Sequence, residues 1–334
     1  MEIVSKKQIR DFLSKHSVQV GKTPGIKDGI AKYNEIMNRV SSNDAVFKET
    51  FKKFYQLKFK PGSEEENIRL ERYFELLNIH YLNRNIDRGI YEADLCGFFK
   101  EVVVALAPLY NRAELSFASK LLHTTNPTFF PIYDNIVGEL HFGISRSSKK
   151  TLDERINDTA FLYRKYFDDF YAFCRSDEGK EIISVFKEVF QKELGEIGGL
   201  PDIKILDFVL WCDRPQEDQL FKKEWVSFVV RKQRIKELNM PSDSYSASLC
   251  KGILIAMNEI LYSVELSLVE KENLSKDDLL SLKEEISLNR SIHKDFNETI
   301  ESFVEMAEEG EIDAAINLLL TKEKHFFKVM RDNN

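Results

Sequence analysis

A chain of 334 residues has room for one large domain or two to three modest ones, and a hydrophobic share of 43% beside 31% charged residues excludes extensive disorder. With only 14 glycines and 8 prolines the chain lacks the turn residues of a many-stranded β fold. Most of it repeats at helical period, so an all-α fold is expected. The formal charge of −7 weighs mildly against nucleic-acid binding, although the acidic excess gathers near the C-terminus, around Glu284–Glu285 and Glu305–Glu311.

Residues 1–60 read as short helices broken by a turn-rich stretch at Gly21–Gly29. The opening, Met1–Lys7, has no apolar run of the signal-peptide kind. No stretch approaches the roughly 20 apolar residues that cross a bilayer. A cytoplasmic protein with no membrane partner is therefore expected. Pro61-Gly62-Ser63 introduces the next helix, with Ser63 and Glu66 spaced as a capping box. Helices at about 91–107 and 115–125 follow, and the short link Pro108–Glu114 makes them a helical hairpin. Asn126-Pro127 stops the second helix, an extended apolar stretch runs through Phe129-Phe130-Pro131-Ile132-Tyr133, and Asp134 opens another helix. Ser145–Lys150 is a polar loop. Further helices are expected at 161–173, 180–193, 203–212 and 225–238.

Met240-Pro241-Ser242-Asp243-Ser244 reads as a linker. It divides the chain into a helical domain at 1–240, built as two lobes with a cleft, and a C-terminal helical subdomain at 241–334. That subdomain should hold helices near 247–271, 276–307 and 311–329. The stretch 253–268 is apolar almost all round, as a core helix or a contact between copies of the chain would be. Cys96, Cys174, Cys212 and Cys250 are scattered without ligand spacing. No metal and no cofactor are expected, and there is no glycine-rich phosphate loop and no zinc-peptidase, hydrolase or kinase motif.

The segment richest in chemistry is 115–137. Its helix has an apolar stripe of Leu115, Ala118 and Leu122 and a polar edge of Ser116, Lys120 and His123, which fall at i, i+4 and i+7. The proline-bounded link then brings one carboxylate, Asp134, to the next helix start. Taken alone, Asp134 reads as an N-cap, Lys120 as a solvated lysine and His123 as a partly buried histidine with a local hydrogen bond.

This segment resembles the helix–hairpin–helix DNA glycosylases, in particular their 8-oxoguanine-glycosylase-like branch. Pro131-Ile132-Tyr133-Asp134 matches the Pro-x-x-Asp element of that family, and the run Ser119-Lys120-Leu121-Leu122-His123, then Asn126-Pro127, then Phe130–Asp134, looks like its bacterial members. The close resemblance covers about 25 residues, with a looser similarity in helix order over 45–235. It implies a monofunctional enzyme that flips a damaged or modified base out of double-stranded DNA and hydrolyses the N-glycosidic bond. Asp134 is the implied catalytic carboxylate. Bifunctional relatives place a Schiff-base lysine near Leu115, so Lys120, more than a turn later, is the candidate amine.

The hairpin Tyr110–Glu114 lacks the family's phosphate-binding glycines, which leaves Arg112 and Ser116, with Lys149 and Lys150 in the polar loop, as the DNA contacts. His123, Phe130, Tyr133, Asp207, Phe208 and Trp211 are the expected lining of the base pocket. A homo-oligomer through the C-terminal helices is a further expectation. The competing expectation is a non-catalytic binding component of a defence or toxin–antitoxin system, favoured by the acidic charge.

Overall fold

A computed structural model describes residues 4–20, 24–57, 64–82, 94–110, 113–145, 151–214, 219–240, 245–271, 282–319, 321 and 322. Every element among them is a helix: α1 (Lys6–Lys15), α2 (Ile26–Arg39), α3 (Ala45–Phe54), α4 (Glu64–Leu82), α5 (Leu95–Tyr110), α6 (Leu115–Thr125), a π-helix (Ile136–His141), α7 (Leu152–Arg175), α8 (Asp177–Val189), α9 (Gln191–Ile197), α10 (Asp202–Cys212), α11 (Lys223–Glu237), α12 (Tyr245–Lys271) and α13 (Lys283–Glu308). The chain divides into two compact units, Met1–Lys223 and Glu224–Asn334. This boundary falls after the first residue of α11, whereas the sequence placed it after residue 240. The reason lies in the side chains: Ile235, Leu238 and Met240 join Leu254, Met257 and Leu261 of α12 and Ile292, Phe296, Ile300 and Phe303 of α13 in one core. The expected linker at 241–244 and the capping residue Ser63 lie outside the described residues.

In the first unit α10 is the central helix. It packs against α2, α7, α8 and the π-helix, and Ile203–Leu210 are all buried. A Cβ on Gly29 of α2 would stand 2.8 Å from the Phe208 ring, so glycine is what lets α2 approach α10 this closely. α5 and α7 pack along one another, with Phe99 and Tyr163 stacked at 3.8 Å between ring centroids. α4 closes over α6, where Tyr73 donates to the Phe117 carbonyl at 3.1 Å.

α5 continues through Pro108 to Tyr110, past the end expected at residue 107. Proline removes one N–H from the ladder and leaves the carbonyl four residues back without its donor. Here that residue, Val104, is exposed along with Pro108, so water can serve the carbonyl and the helix continues.

In the second unit α12 and α13 pack along each other. Arg231 of α11 is buried in this bundle. Its guanidinium donates to Asn258 at 2.7 Å and spans both oxygens of Glu265 at 3.2 and 2.9 Å. Contrary to the sequence reading, one helical stretch, Ser248–Lys271, is long and apolar enough to cross a membrane by length and composition. In this fold its Leu254, Met257, Leu261 and Val264 serve the bundle core.

Candidate active site

The link between α6 and the π-helix, a turn at 127–129 and then irregular, mostly buried chain up to Asp134, is unusual in how its backbone is satisfied. Chain buried away from water must find partners for each carbonyl. From Thr128 to Tyr133 every carbonyl receives a side chain. Tyr171 of α7 reaches Thr128 and Phe129 at 3.1 and 2.9 Å. His123 of α6 reaches Phe130 at 2.7 Å. Tyr163 donates to Pro131 at 2.9 Å and Tyr166 to Ile132 at 2.6 Å. Ser119 accepts from the Tyr133 N–H at 3.0 Å and shares its own proton between the Ser116 and Tyr133 carbonyls. Two helices thus clamp the link, and Asp134 follows it directly.

Asp134 is half-buried. Its Oδ1 accepts the Ile136 N–H at 2.9 Å, so it does cap the following turn, as the bland reading held. The turn it introduces is a π-helix, with Gly138 N–H on the Asp134 carbonyl at 2.6 Å. A Cβ on Gly138 would collide with the Tyr133 ring at 2.1 Å, and Tyr133 is fully buried with its hydroxyl on the Ile144 carbonyl at 2.8 Å. At the far end of the π-helix, His141 bonds the Phe221 carbonyl at 3.1 Å and the Leu210 carbonyl at 2.9 Å, which ties the element to α10 and to the chain beyond it.

Lys120 and His123 do not form the polar edge that helical spacing suggested. All of α6 except Ser116, which is half-buried, is buried. Lys120 is 6% exposed and donates from Nζ to the Tyr55 carbonyl at 3.0 Å. Burial lowers its pKa from the usual lysine value, while the charges of Asp134 and Asp207 pull the other way. His123 is held on its second nitrogen by the Tyr33 hydroxyl at 3.0 Å.

A second lysine, which sequence reasoning did not single out, stands beside it. Lys204 of α10 is 3% exposed, and its Nζ donates to Asp207 Oδ2 at 2.6 Å. The same ammonium lies over the rings of Phe208, Tyr33, Phe54 and Tyr55, at 4.4, 5.1, 5.4 and 5.8 Å from their centroids. Burial raises the Asp207 pKa and the Lys204 charge lowers it; Asp134 and Lys120 also act on it. The signal was present in the sequence: two opposite charges at i, i+3 in a helix otherwise apolar between Ile203 and Leu210.

The remaining expected pocket residues separate. Phe208 belongs to this aromatic cage, with its ring against Tyr33 edge-on at 6.3 Å. Phe130 is buried and stacks on Phe98 at 6.0 Å. Trp211 is half-buried and covered by the Arg214 guanidinium at 4.3 Å. Arg112, Lys149 and Lys150 lie outside the described residues. No group of three His, Cys, Asp or Glu side chains among the described residues converges as a metal site, and all four cysteines are free thiols. Lys120, Lys204, Asp134 and Asp207, of which only Asp134 is more than slightly exposed, therefore influence one another electrostatically within an aromatic-rich unit. Compared with protein-family models, with curated proteins and with solved structures, the chain matches none.

Proposed function

We propose that this chain is a base-excising DNA glycosylase of the helix–hairpin–helix kind, acting on a damaged or modified base in duplex DNA, either in repair or in defence against DNA with modified bases. The observation that carries the reading is the clamped link that ends in Asp134, on the rim of a region holding Lys120, Lys204 and Asp207. Breaking the N-glycosidic bond puts positive charge on the sugar, and a fixed carboxylate in a water-poor place stabilises that charge. Asp134 supplies it through Oδ2, which has no hydrogen bond among the described residues, and the same oxygen takes the proton of the water that adds to the anomeric carbon. The net charge does not oppose this reading. Met1–Lys223 contains equal numbers of acidic and basic residues, and the excess of −7 resides in Glu224–Asn334.

The test is abasic-site formation on a panel of duplexes: unmodified, oxidised, alkylated, uracil-containing and hydroxymethylated. Asp134→Asn should lower release from the responsive duplex by roughly a hundredfold or more while leaving DNA affinity unchanged. Equal release by both proteins would overturn the assignment. Release from no duplex, with no salt-sensitive DNA binding, would favour the non-catalytic reading.

The burial of Lys120 favours a second route at the same site. A lysine with a lowered pKa is uncharged more of the time and can attack the anomeric carbon as an amine, expelling the base and leaving a Schiff base. Borohydride trapping of a protein–DNA adduct, lost in Lys120→Met, separates this route from hydrolysis.

A further inference from the structure

His141, at the end of the π-helix, has both ring nitrogens against carbonyls. Nδ1 lies 3.1 Å from the Phe221 carbonyl, and Nε2 lies 2.9 Å from that of Leu210 and 3.2 Å from that of Asp213. No donor reaches either nitrogen among the described residues. A carbonyl only accepts, and a neutral imidazole has a single N–H. One of these contacts therefore sets lone pair against lone pair unless the ring carries two protons. Asp213 shows the complementary pattern. It is fully buried, its Oδ1 accepts the Leu220 N–H at 2.6 Å and its Oδ2 accepts the Phe221 N–H at 2.9 Å. Both oxygens accept, as those of an ionised carboxylate do, and Oδ2 stands 3.8 Å from His141 Nε2.

We infer that His141 and Asp213 form a buried imidazolium–carboxylate clasp, which holds the π-helix that follows Asp134 against α10 only while His141 is charged. Burial works against both charges, lowering the His141 pKa against the pull of the three carbonyls and raising that of Asp213 to about 7. The proton that the pair holds has two places to go, however. Only on the imidazole does every contact have a donor facing an acceptor, and the ionised Asp213 then keeps the His141 pKa above the ordinary 6.5. The other charged or titratable groups on the packed elements are Glu139, exposed on the π-helix, Lys223 against Gly143, Arg214 over Trp211, and Asp207 on the previous turn of α10, bonded to Lys204. Tyr166 of α7 lies beyond the Phe142 ring, and His16 of α1 lies behind the Phe12 ring that meets Phe221. None of these bonds His141 or Asp213. Loss of the imidazole proton leaves a lone pair facing a carbonyl and a buried carboxylate without its counter-charge. The clasp is thus lost as pH rises through the folded His141 value, and at the acid end when Asp213 protonates. It needs Asp134 only as the residue that starts the π-helix, so it stands or falls apart from the base-excision reading.

Nitrogen NMR of the histidine rings in the full chain reads the charge without turnover, with His141 assigned by its contacts to Leu210 and Phe221 protons. The expected result at about pH 7.5, a unit above the ordinary histidine value, is an N–H on both His141 nitrogens. Raising the pH until one of them leaves should lower the exchange protection of the Gly138 and Phe221 amides, which bond the Asp134 carbonyl and Asp213, by at least about tenfold, with α5 unchanged. Asp213→Asn removes the counter-charge and should leave His141 with one N–H at the same pH and those two amides poorly protected. A single N–H on His141 of the wild type at about pH 7.5, or amide protection that does not move as the ring loses its proton, would overturn the inference whether or not the variant folds.

Discussion

The two ring nitrogens of His123 face different chemistry. Nδ1 lies 2.7 Å from a carbonyl, which can only accept, so Nδ1 carries the proton. Nε2 is then the acceptor for Tyr33, whose own pKa is pushed upward by burial and by Asp207, keeping the phenol a donor. The imidazole is therefore neutral, and burial, helped by the Lys204 charge, drives its pKa from 6.5 down to about 3. Between those two values the unfolded chain binds a proton that the folded chain refuses. The stabilisation is complete above the unfolded value and is lost as pH falls through the window. At pH 4 this one residue should cost on the order of 3 kcal/mol relative to pH 7. His123→Gln keeps a donor and an acceptor but does not titrate. It should lower stability at pH 7 by about 1–3 kcal/mol and flatten the fall between pH 7 and pH 4. Urea unfolding across that range is the check, and parallel curves for the two proteins would contradict the assignment.

At the scale of elements, the sequence located the pieces but not how they are held. Helical periodicity, Asn126-Pro127 and the apolar run at 129–133 were enough to expect α6, the link and a turn at Asp134. The partners of four of the link's carbonyls were invisible because they come from α7, more than 30 residues away, for instance Tyr166 on Ile132. Spacing alone also put Lys120 and His123 on a polar edge, whereas tertiary partners on α2, the link and the turn after α3 let α6 bury them. Asp207 entered as a pocket residue through family likeness, while its partner Lys204 was passed over in an apolar helix.

The tyrosine clamp makes a graded prediction. Tyr166 is fully buried, so Tyr166→Phe leaves the Ile132 carbonyl unpaired and should destabilise by about 1–3 kcal/mol. Tyr171 is only partly buried, so water can replace its hydroxyl and Tyr171→Phe should cost less than about 1 kcal/mol. If Asp134 acts as proposed, Tyr166→Phe should also slow base release more than it weakens DNA binding, because it loosens the segment that aims the carboxylate. Equal effects of the two substitutions on unfolding and on release would remove the clamp from the account.

At the scale of the molecule, the two units solve the burial of charge differently. In Met1–Lys223 the Lys120 and Lys204 ammoniums each give one hydrogen bond among the described residues, to the Tyr55 carbonyl and to Asp207, and otherwise rest against aromatic rings. In Glu224–Asn334 several side chains meet the buried charge at once: Arg231 bonds Asn258 and both oxygens of Glu265, Asn258 donates to the Phe228 carbonyl at 3.0 Å, and His293 approaches Glu265 at 3.4 Å. These contacts hold the Glu265 pKa below the usual carboxylate range although burial pushes it up. Such a network fixes the register of α11, α12 and α13 against sliding, which an apolar interface alone specifies poorly. It also makes the unit sensitive to breaking one partner. Glu265→Ala strands a buried guanidinium and should cost about 3–5 kcal/mol, read as faster hydrogen exchange along α12 and α13. The double replacement Arg231→Met with Glu265→Leu removes both ions together and should recover most of that loss, since a packed apolar pair needs no counter-charge. A double variant as unstable as Glu265→Ala would mean that packing around Asn258, not the ion pair, holds the three helices in register.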